Sequence, residues 1–307
     1  MAEDIYTTAL LIPTLNAGKA WPALLESIEA QTLQPLRKII IDSGSKDETV
    51  SLAVSAGFEV ITISKSEFNH GTARQALVNV STDADICIFL TQDAILASPD
   101  SLAKLVEAFD DPQVGLAYGR QLPHSGARPL EAHARLFNYH TRHEVRSFND
   151  KDKLGFKVFF CSNSFAAYRK AALNEVGGFP SDSIMGEDAI VSAKLLLAGY
   201  KVAYVADALV HHSHSYTYKE EFKRYFDTRV FHEQNKWLID KYGRPTGEGL
   251  KFLKSEISYM ARKHPQSLFR VAGSTLAKWL GYSSGRYYKK VPKNLLKKLS
   301  MHSSYWE

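Results

Sequence analysis

The feature that most restricts the fold is a change of hydrophobic period that repeats through the first 120 residues. Short apolar runs at 6–12 (YTTALLI), 38–41 (KIII), 58–63 (FEVITI), 86–90 (ICIFL) and 114–118 (VGLAY) have the length and composition of buried strands. Between them, 20–31, 47–56, 71–80 and 98–109 carry helical spacing, the last with Ser98 as a cap and Pro99 in its first turn. Strands alternating with helices build βαβ units, so the expected fold class is α/β, with a mostly parallel central sheet covered on both faces. In such sheets ligands bind beyond the carboxyl ends of the strands. The residues just after each run are therefore the ones to inspect for chemistry.

Further along, the pattern loosens. Residues 121–152 are polar and rich in His and Arg, and read as a loop plus a helix around 130–145. Apolar periodicity returns over 157–168; 170–176 is helix-like and stops at Gly177-Gly178; 186–199 reads as a helix closed by Gly199, and 201–205 as a strand. After His214 the chain is helical, basic and aromatic. This divides it into a body, 1–215, and a C-terminal region, 216–307.

Composition excludes several classes. With 307 residues, 45% hydrophobic and 23% charged, the chain is neither disordered nor fibrous and can bury a core without staples. Cys87 and Cys161 lie in apolar runs and read as reduced core residues. The acidic start, Met1-Ala-Glu-Asp, is no secretory leader, and no run approaches a bilayer span, so the expectation is a cytoplasmic protein. The net charge of +5 hides an asymmetry. Residues 216–307 hold 19 Lys+Arg against 8 Asp+Glu, whereas the body holds 19 against 25. A basic tail on an acidic body fits either an anionic partner surface or a solvated helical face.

The segments after the strands carry polar groups suited to a nucleotide. Pro13-Thr14-Leu15-Asn16 follows the first, and Asp42-Ser43-Gly44-Ser45-Lys46-Asp47 the second, where a carboxylate can accept from a pyrimidine or ribose and the Ser/Gly turn offers backbone donors. Thr91-Gln92-Asp93 closes the ICIFL run; an acid there faces a ligand, a cation or a helix terminus. Phe68-Asn69-His70-Gly71-Thr72-Ala73-Arg74 opens a helix whose free N–H groups, with Arg74, suit a diphosphate. Met185-Gly186-Glu187-Asp188 sets paired carboxylates at a helix start, as caps or as a general base. In His211-His212-Ser213-His214, an extended backbone puts His212 and His214 on one side, a spacing that suits a metal or a surface loop.

Taken in order, PTLN (13–16), DSGSKDET (42–49), FNHGTAR (68–74), LTQDA (90–94), GGF (177–179), GEDAIVSAKLLLAGYKV (186–202) and HHSHSYT (211–217) resemble the glycosyltransferases of family 2, which have the GT-A fold. FNHG with its following Arg, TQDA and HSHSYT are similar to the bacterial rhamnosyltransferases that use dTDP-rhamnose in polysaccharide and O-antigen synthesis. The resemblance spans about the first 230 residues. It implies an inverting transfer of a sugar from a nucleotide-sugar donor to a glycan acceptor, the expected substrates being dTDP-L-rhamnose and a lipid-linked saccharide, with Mg²⁺ or Mn²⁺ as cofactor. It further implies that Thr14, Asp42 and Arg74 contact the nucleotide, that Asn69, His70, Gln92 and Glu187 belong to the donor pocket, that Asp93 binds metal with His212 or His214, and that Asp188 is the base. Thr91 stands where the family usually has the first Asp of Asp-x-Asp, which removes one carboxylate.

The tail segment 285–301 (GRYYKKVPKNLLKKLSM) places Leu295, Leu296 and Leu299 on one helical face flanked by lysines. Such a face lies on an anionic membrane surface, at the inner face of the cell membrane for a cytoplasmic enzyme, or docks on the catalytic domain or a second subunit. Two rival functions have less support. A nucleotidyltransferase needs a Gly-rich, basic loop after the first strand, where this chain has PTLNAGKAW. A nucleic-acid-binding protein needs a recognisable module in the basic tail, and none is present. A transferase using another donor, such as a UDP-hexose, stays open.

Overall fold

The computed structural model describes residues 6–244 and 247–307. The acidic start at 1–4 lies outside the described residues. Nine strands form one sheet: β1 (Thr8–Thr14), β2 (Arg37–Asp42), β3 (Glu59–Thr62), β4 (Ile86–Leu90), β5 (Ile95–Leu96), β6 (Val114–Leu122), β7 (Glu144–Arg146), β8 (Phe165–Arg169) and β9 (Lys201–His211). Their order is β3-β2-β1-β4-β8-β6-β9-β5, with β7 also on β9. β1 to β4 run parallel, β8 is inserted antiparallel between β4 and β6, and β9 lies parallel to β6. The sheet is thus mixed but mostly parallel, as the alternation of periods predicts.

Helices cover both faces: α1 (Trp21–Glu29), α2 (Thr49–Ser55), α3 (His70–Val80), α4 (Ser101–Glu107), α5 (Pro129–Asn138), the one-turn α6 (Lys151–Leu154), α7 (Lys170–Glu175), α8 (Glu187–Leu197), α9 (Tyr218–Gln234), α10 (Lys236–Tyr242), α11 (Glu248–Lys263), α12 (Leu268–Gly285) and α13 (Lys293–Leu299). Because side chains alternate along a strand, β1 sends Leu10 and Ile12 into one core with Trp21, Leu24 and Leu105, and Ala9 and Leu11 into the other with Leu77, Ile190 and Phe226. Cys87 and Cys161 are free and buried, as expected.

Several boundaries differ from the sequence expectation. The apolar run 157–168 divides: Gly155–Phe159 is a 3-10 turn, and β8 begins only at Phe165, after the polar Ser162-Asn163-Ser164. β9 continues to His211, because Ala206, Ala208 and Val210 remain buried beside β6 and β5. α4 starts at Ser101 rather than Ser98, whose hydroxyl bonds Asp100 instead.

The C-terminal region is joined to the body. Phe226, Val230, Phe231, Leu238, Leu296 and Trp306 belong to the core that contains β4 and β8. Leu296 is 4% exposed and Leu299 packs against that core, leaving Leu295 outside. Of the two readings of the 285–301 segment, docking on the protein itself is the one realised. Among the apolar side chains left exposed, Phe269, Leu276, Trp279 and Leu280 of α12 share one side at helical spacing. No helix among the described residues is long and apolar enough to cross a membrane.

Candidate active site

The carboxyl ends of β1, β2, β4 and β9 open on one side of the sheet, and the polar segments singled out above gather there. Asp93, in the turn between β4 and β5, meets His212 and His214, just past β9. Its carboxylate lies 3.5 Å from His212 Nε2 and 3.7 Å from His214 Nε2. One ligand atom from each of the three lies within 4.8 Å of the others. The pairing of β5 with the end of β9 brings these distant segments together.

The donor set fits a divalent ion on chemical grounds. His212 is buried, and its Nδ1 bonds Gln121 Oε1 at 2.9 Å, while the Gln121 amide donates to Ser162 Oγ at 2.9 Å. With Nδ1 carrying the proton towards an acceptor, Nε2 presents a lone pair to the cluster. Burial pushes His212 down to about 3, against the opposing pull of Asp93, so the ring is neutral and ready to ligate. Burial likewise lowers His214. Thr91, in the place of the family's first Asp, contributes no carboxylate, and its buried hydroxyl has no hydrogen-bond partner.

The acid pair sits at the start of α8. Gly186 turns the chain with φ 71°, a left-handed conformation that suits glycine, and a Cβ there would come within 2.9 Å of the Phe231 ring. Asp188 is half-buried; its carboxylate accepts the Asn163 N–H at 3.2 Å and its neighbour Ala189's N–H at 2.8 Å. Burial, with the adjacent Glu187 charge, raises Asp188 to about 6. Glu187 goes the other way. Its burial opposes ionisation, but Arg74 at 2.8 Å, with His70 and an Asn163 amide bond, holds it below the usual carboxylate range. Two neighbouring acids with separated affinities for protons are the signature of a divided role.

Other predicted residues have structural employment. Asp42 is 2% exposed, and its carboxylate accepts from Thr14 Oγ1, the Gly44 and Ser45 N–H groups and Ser45 Oγ, holding the turn after β2. Gln92 pairs both ends of its amide with the Leu15 backbone. Asn69 caps α3 and bonds Ser183 O. His70 lies edge-on to Phe68 and to His302 of the tail, and burial lowers it to about 4. Arg74 is 4% exposed, and its guanidinium pairs with Glu187.

Three contributors went unmarked in the sequence: Gln121, Ser162 and Asn163. His212 bonds Gln121, whose amide donates to Ser162, and the next residue in the chain, Asn163, bonds both Glu187 and Asp188. The signal for two of them was present as Ser-Asn-Ser interrupting an otherwise apolar run. Beside the cluster, a cavity of about 590 Å³ runs between α5, α9, α11 and α12, with His214 in its wall.

The fold and the strand-end site define a nucleotide-sugar transferase of the GT-A type. The mannosyltransferase of Pyrobaculum calidifontis, solved with GDP-Man and Mn²⁺, shares this fold with a TM-score of 0.60 at 18% identity, covering 91% of this chain and 84% of that one. TarS 1–349 of S. aureus aligns with a TM-score of 0.54 at 13% identity, over 92% of this chain and 91% of that one. The family described as glycosyl transferase family 2 matches residues 9–177, and the chain belongs to it. It is a glycosyltransferase. The O-antigen chain rhamnosyltransferase RfbN of Salmonella typhimurium is 48% identical over 298 residues, 97% of this chain and 95% of the relative. The O-antigen chain rhamnosyltransferase WbaN of Salmonella anatum is 44% identical over the same shares.

Proposed function

We propose that this enzyme transfers L-rhamnose from dTDP-L-rhamnose to a glycan acceptor, with inversion, in O-antigen synthesis. The observation that carries the chemistry is the Asp93–His212–His214 cluster, whose His212 is hydrogen-bonded through Gln121 to Ser162, the chain neighbour of the Asn163 that bonds both Glu187 and Asp188. The sugar and the process rest on the two rhamnosyltransferases that match nearly the whole chain. Asp93, His212 and His214 would hold the divalent ion, whose charge offsets the negative charge growing on the leaving nucleoside diphosphate. A mixed nitrogen and oxygen donor set favours Mn²⁺ over Mg²⁺, which prefers oxygen ligands and water.

Asp188 takes the proton of the acceptor hydroxyl as that oxygen attacks the anomeric carbon from the face opposite the diphosphate. A carboxylate raised to about 6 is largely ionised at pH 7 yet more basic than a solvated one, which suits a general base. Asn163 orients Asp188, and Arg74 keeps Glu187 ionised beside it. With Arg74 so committed, the guanidiniums placed to meet the diphosphate are Arg135 and Arg224, which lie near enough to His214 to disfavour its protonation.

The acceptor is a lipid-linked saccharide, and the enzyme works at the cytoplasmic face of the membrane. The exposed face of α12, bordered by Arg270 and followed by Arg286, Lys289 and Lys290, is the surface suited to an anionic bilayer. Purified protein is incubated with dTDP-rhamnose and a panel of UDP-sugars, with Mn²⁺ or with chelator, and slow donor hydrolysis is scored. Release of dTDP from dTDP-rhamnose alone, abolished by chelator, is expected. Preferential turnover of a UDP-hexose would replace the donor assignment.

A further inference from the structure

The end of the chain comes back to the acid pair. Ser300 and Trp306 are buried, and Trp306 lies in the core that contains β4 and β8. Between them the turn is fixed at two points. Asp227 of α9, a carboxylate with no exposed surface, accepts the Met301 N–H at 2.8 Å. The Tyr305 hydroxyl accepts from the Gln234 amide at 2.8 Å and donates to Asp182 O at 3.1 Å. Asp182 belongs to the loop 180–186 that leads into Glu187 and Asp188.

The same loop is held from its other side by the start of α3. The Asn69 amide donates to Ser183 O at 3.1 Å, and a Cβ on Gly71 would fall 1.8 Å from Pro180 O. Tail and α3 thus close on one loop, and their rings meet. His302 lies edge-on to His70, with centroids 5.4 Å apart and planes at 89°. Phe68 meets His70 in the same way, at 5.1 Å and 77°. His70 Nδ1 faces the Arg74 guanidinium at 3.5 Å, the group that pairs with Glu187. Arginine only donates, so Nδ1 accepts and the His70 proton sits on Nε2. Burial lowers the proton affinity of His302 against the pull of Glu187, so the ring is neutral and packs on His70 as an aromatic rather than as a second positive charge.

We infer that the C-terminal turn is part of the donor pocket and that His302 is a positioning residue, fixing the His70 ring against the sugar of the nucleotide donor. It acts through His70 and touches no substrate itself. This deepens the transferase reading above and rests on the place of His70 in that pocket. An edge-on ring pair is worth about 2–12-fold in an equilibrium.

The test is a double-mutant cycle read in donor hydrolysis, with dTDP-L-rhamnose and Mn²⁺, on the full chain and on H302A, H302F, H70A and H70A/H302A. H302A is expected to raise donor KM by about 2–12-fold with kcat within about twofold, since an ordered sugar is held alike in ground and transition states. H302F keeps the edge-on ring and is expected to stay within about twofold of the parent KM. In the H70A background, H302A is expected to add less than about twofold, because no ring is left to position. Binding of dTDP with Mn²⁺, which lacks the sugar, is expected to be unchanged in H302A to within about twofold, which also shows that the variant folds. An equal rise in KM from H302A in both backgrounds overturns the inference, leaving His302 a structural plug. H302F as damaging as H302A overturns it too, by giving the imidazole nitrogens the contact, and so does a parental KM in H302A. H70A with a parental KM would instead strike the reading of the pocket, and the inference with it. Turnover of a UDP-hexose in place of dTDP-rhamnose would change the donor alone, and the same cycle is then read with that sugar.

Discussion

Asp188→Asn separates catalysis from stability in opposite directions. Asp188 has an ordinary carboxyl value of 3.8 and is raised to about 6 in the fold. The fold therefore prefers its protonated form, and the group costs stability as pH rises from the unfolded value through the folded one. Above pH 6 that cost is complete; a rise of roughly two units sets its ceiling at about 3 kcal/mol. Asparagine removes the charge and its repulsion from Glu187, but it has one acceptor oxygen where the carboxylate used two, for the Asn163 and Ala189 N–H groups. Losing one such bond costs about 1 kcal/mol. The variant at pH 7.5 is thus expected to melt no lower than the parent, and up to about 2 kcal/mol more stably.

Turnover moves the other way. Without a proton acceptor on the acceptor side, kcat falls by about 10²–10⁴, whereas KM for the nucleotide sugar stays, since Asp188 serves the attacking hydroxyl. The parent's rate declines below pH 6 as Asp188 takes a proton, about tenfold per unit, and the variant's residual rate lacks that limb. Initial rates from pH 5 to 8, with melting curves on the same samples, test both arms. A variant with parental kcat, or one whose lost activity tracks a lower melting temperature, refutes the assignment.

Gln121→Leu leaves every ligand in place but frees the His212 ring, so Mn²⁺ affinity measured by calorimetry is expected to fall by about 10–100-fold. Gly186→Ala forces a side chain into a left-handed turn against Phe231; chemical denaturation is expected to show a loss of about 1–3 kcal/mol, with turnover reduced because α8 carries the acid pair. On the exposed face of α12, proposed above to meet the membrane, F269S/L276S/W279S is expected to abolish flotation with anionic vesicles while leaving the melting temperature within a degree or two, because all three side chains are exposed. Leu296→Ala, at the inward face of α13, is expected instead to destabilise by about 2–4 kcal/mol without changing vesicle binding.

The strand–helix alternation was legible because the central strands β1 and β4 are buried on both faces, which makes each a continuous apolar run; periodicity detects that directly. Asp93, His212 and His214 were legible only in the ordered series of segments, because an acid at a strand end also serves as a cap and a His cluster also suits a surface loop. What the sequence hid were partnerships. Arg74 sits one helical turn beyond His70 and suits a phosphate, yet Glu187, more than a hundred residues away, claims its guanidinium inside the protein. The leucines of 295–299 have the spacing of a membrane-facing stripe, but spacing is blind to what covers a helix, and here the core containing Trp306 covers it.

The segment 161–164 joins the two halves of the proposed chemistry for a related reason. A strand could have run straight from 157 to 169; instead Ser162 and Asn163 leave the sheet, since β8 must enter antiparallel between two strands that point the other way. That reversal exposes backbone and polar side chains at the sheet's carboxyl edge, where they orient His212 through Gln121 and hold Asp188 directly. The antiparallel insertion thus places one rigid segment against both the metal ligands and the base. A shift of that segment would misalign the leaving-group side and the attacking side together, which is why Asn163 and Gln121, although neither is expected to touch the reacting atoms, belong to the catalytic apparatus as positioning residues.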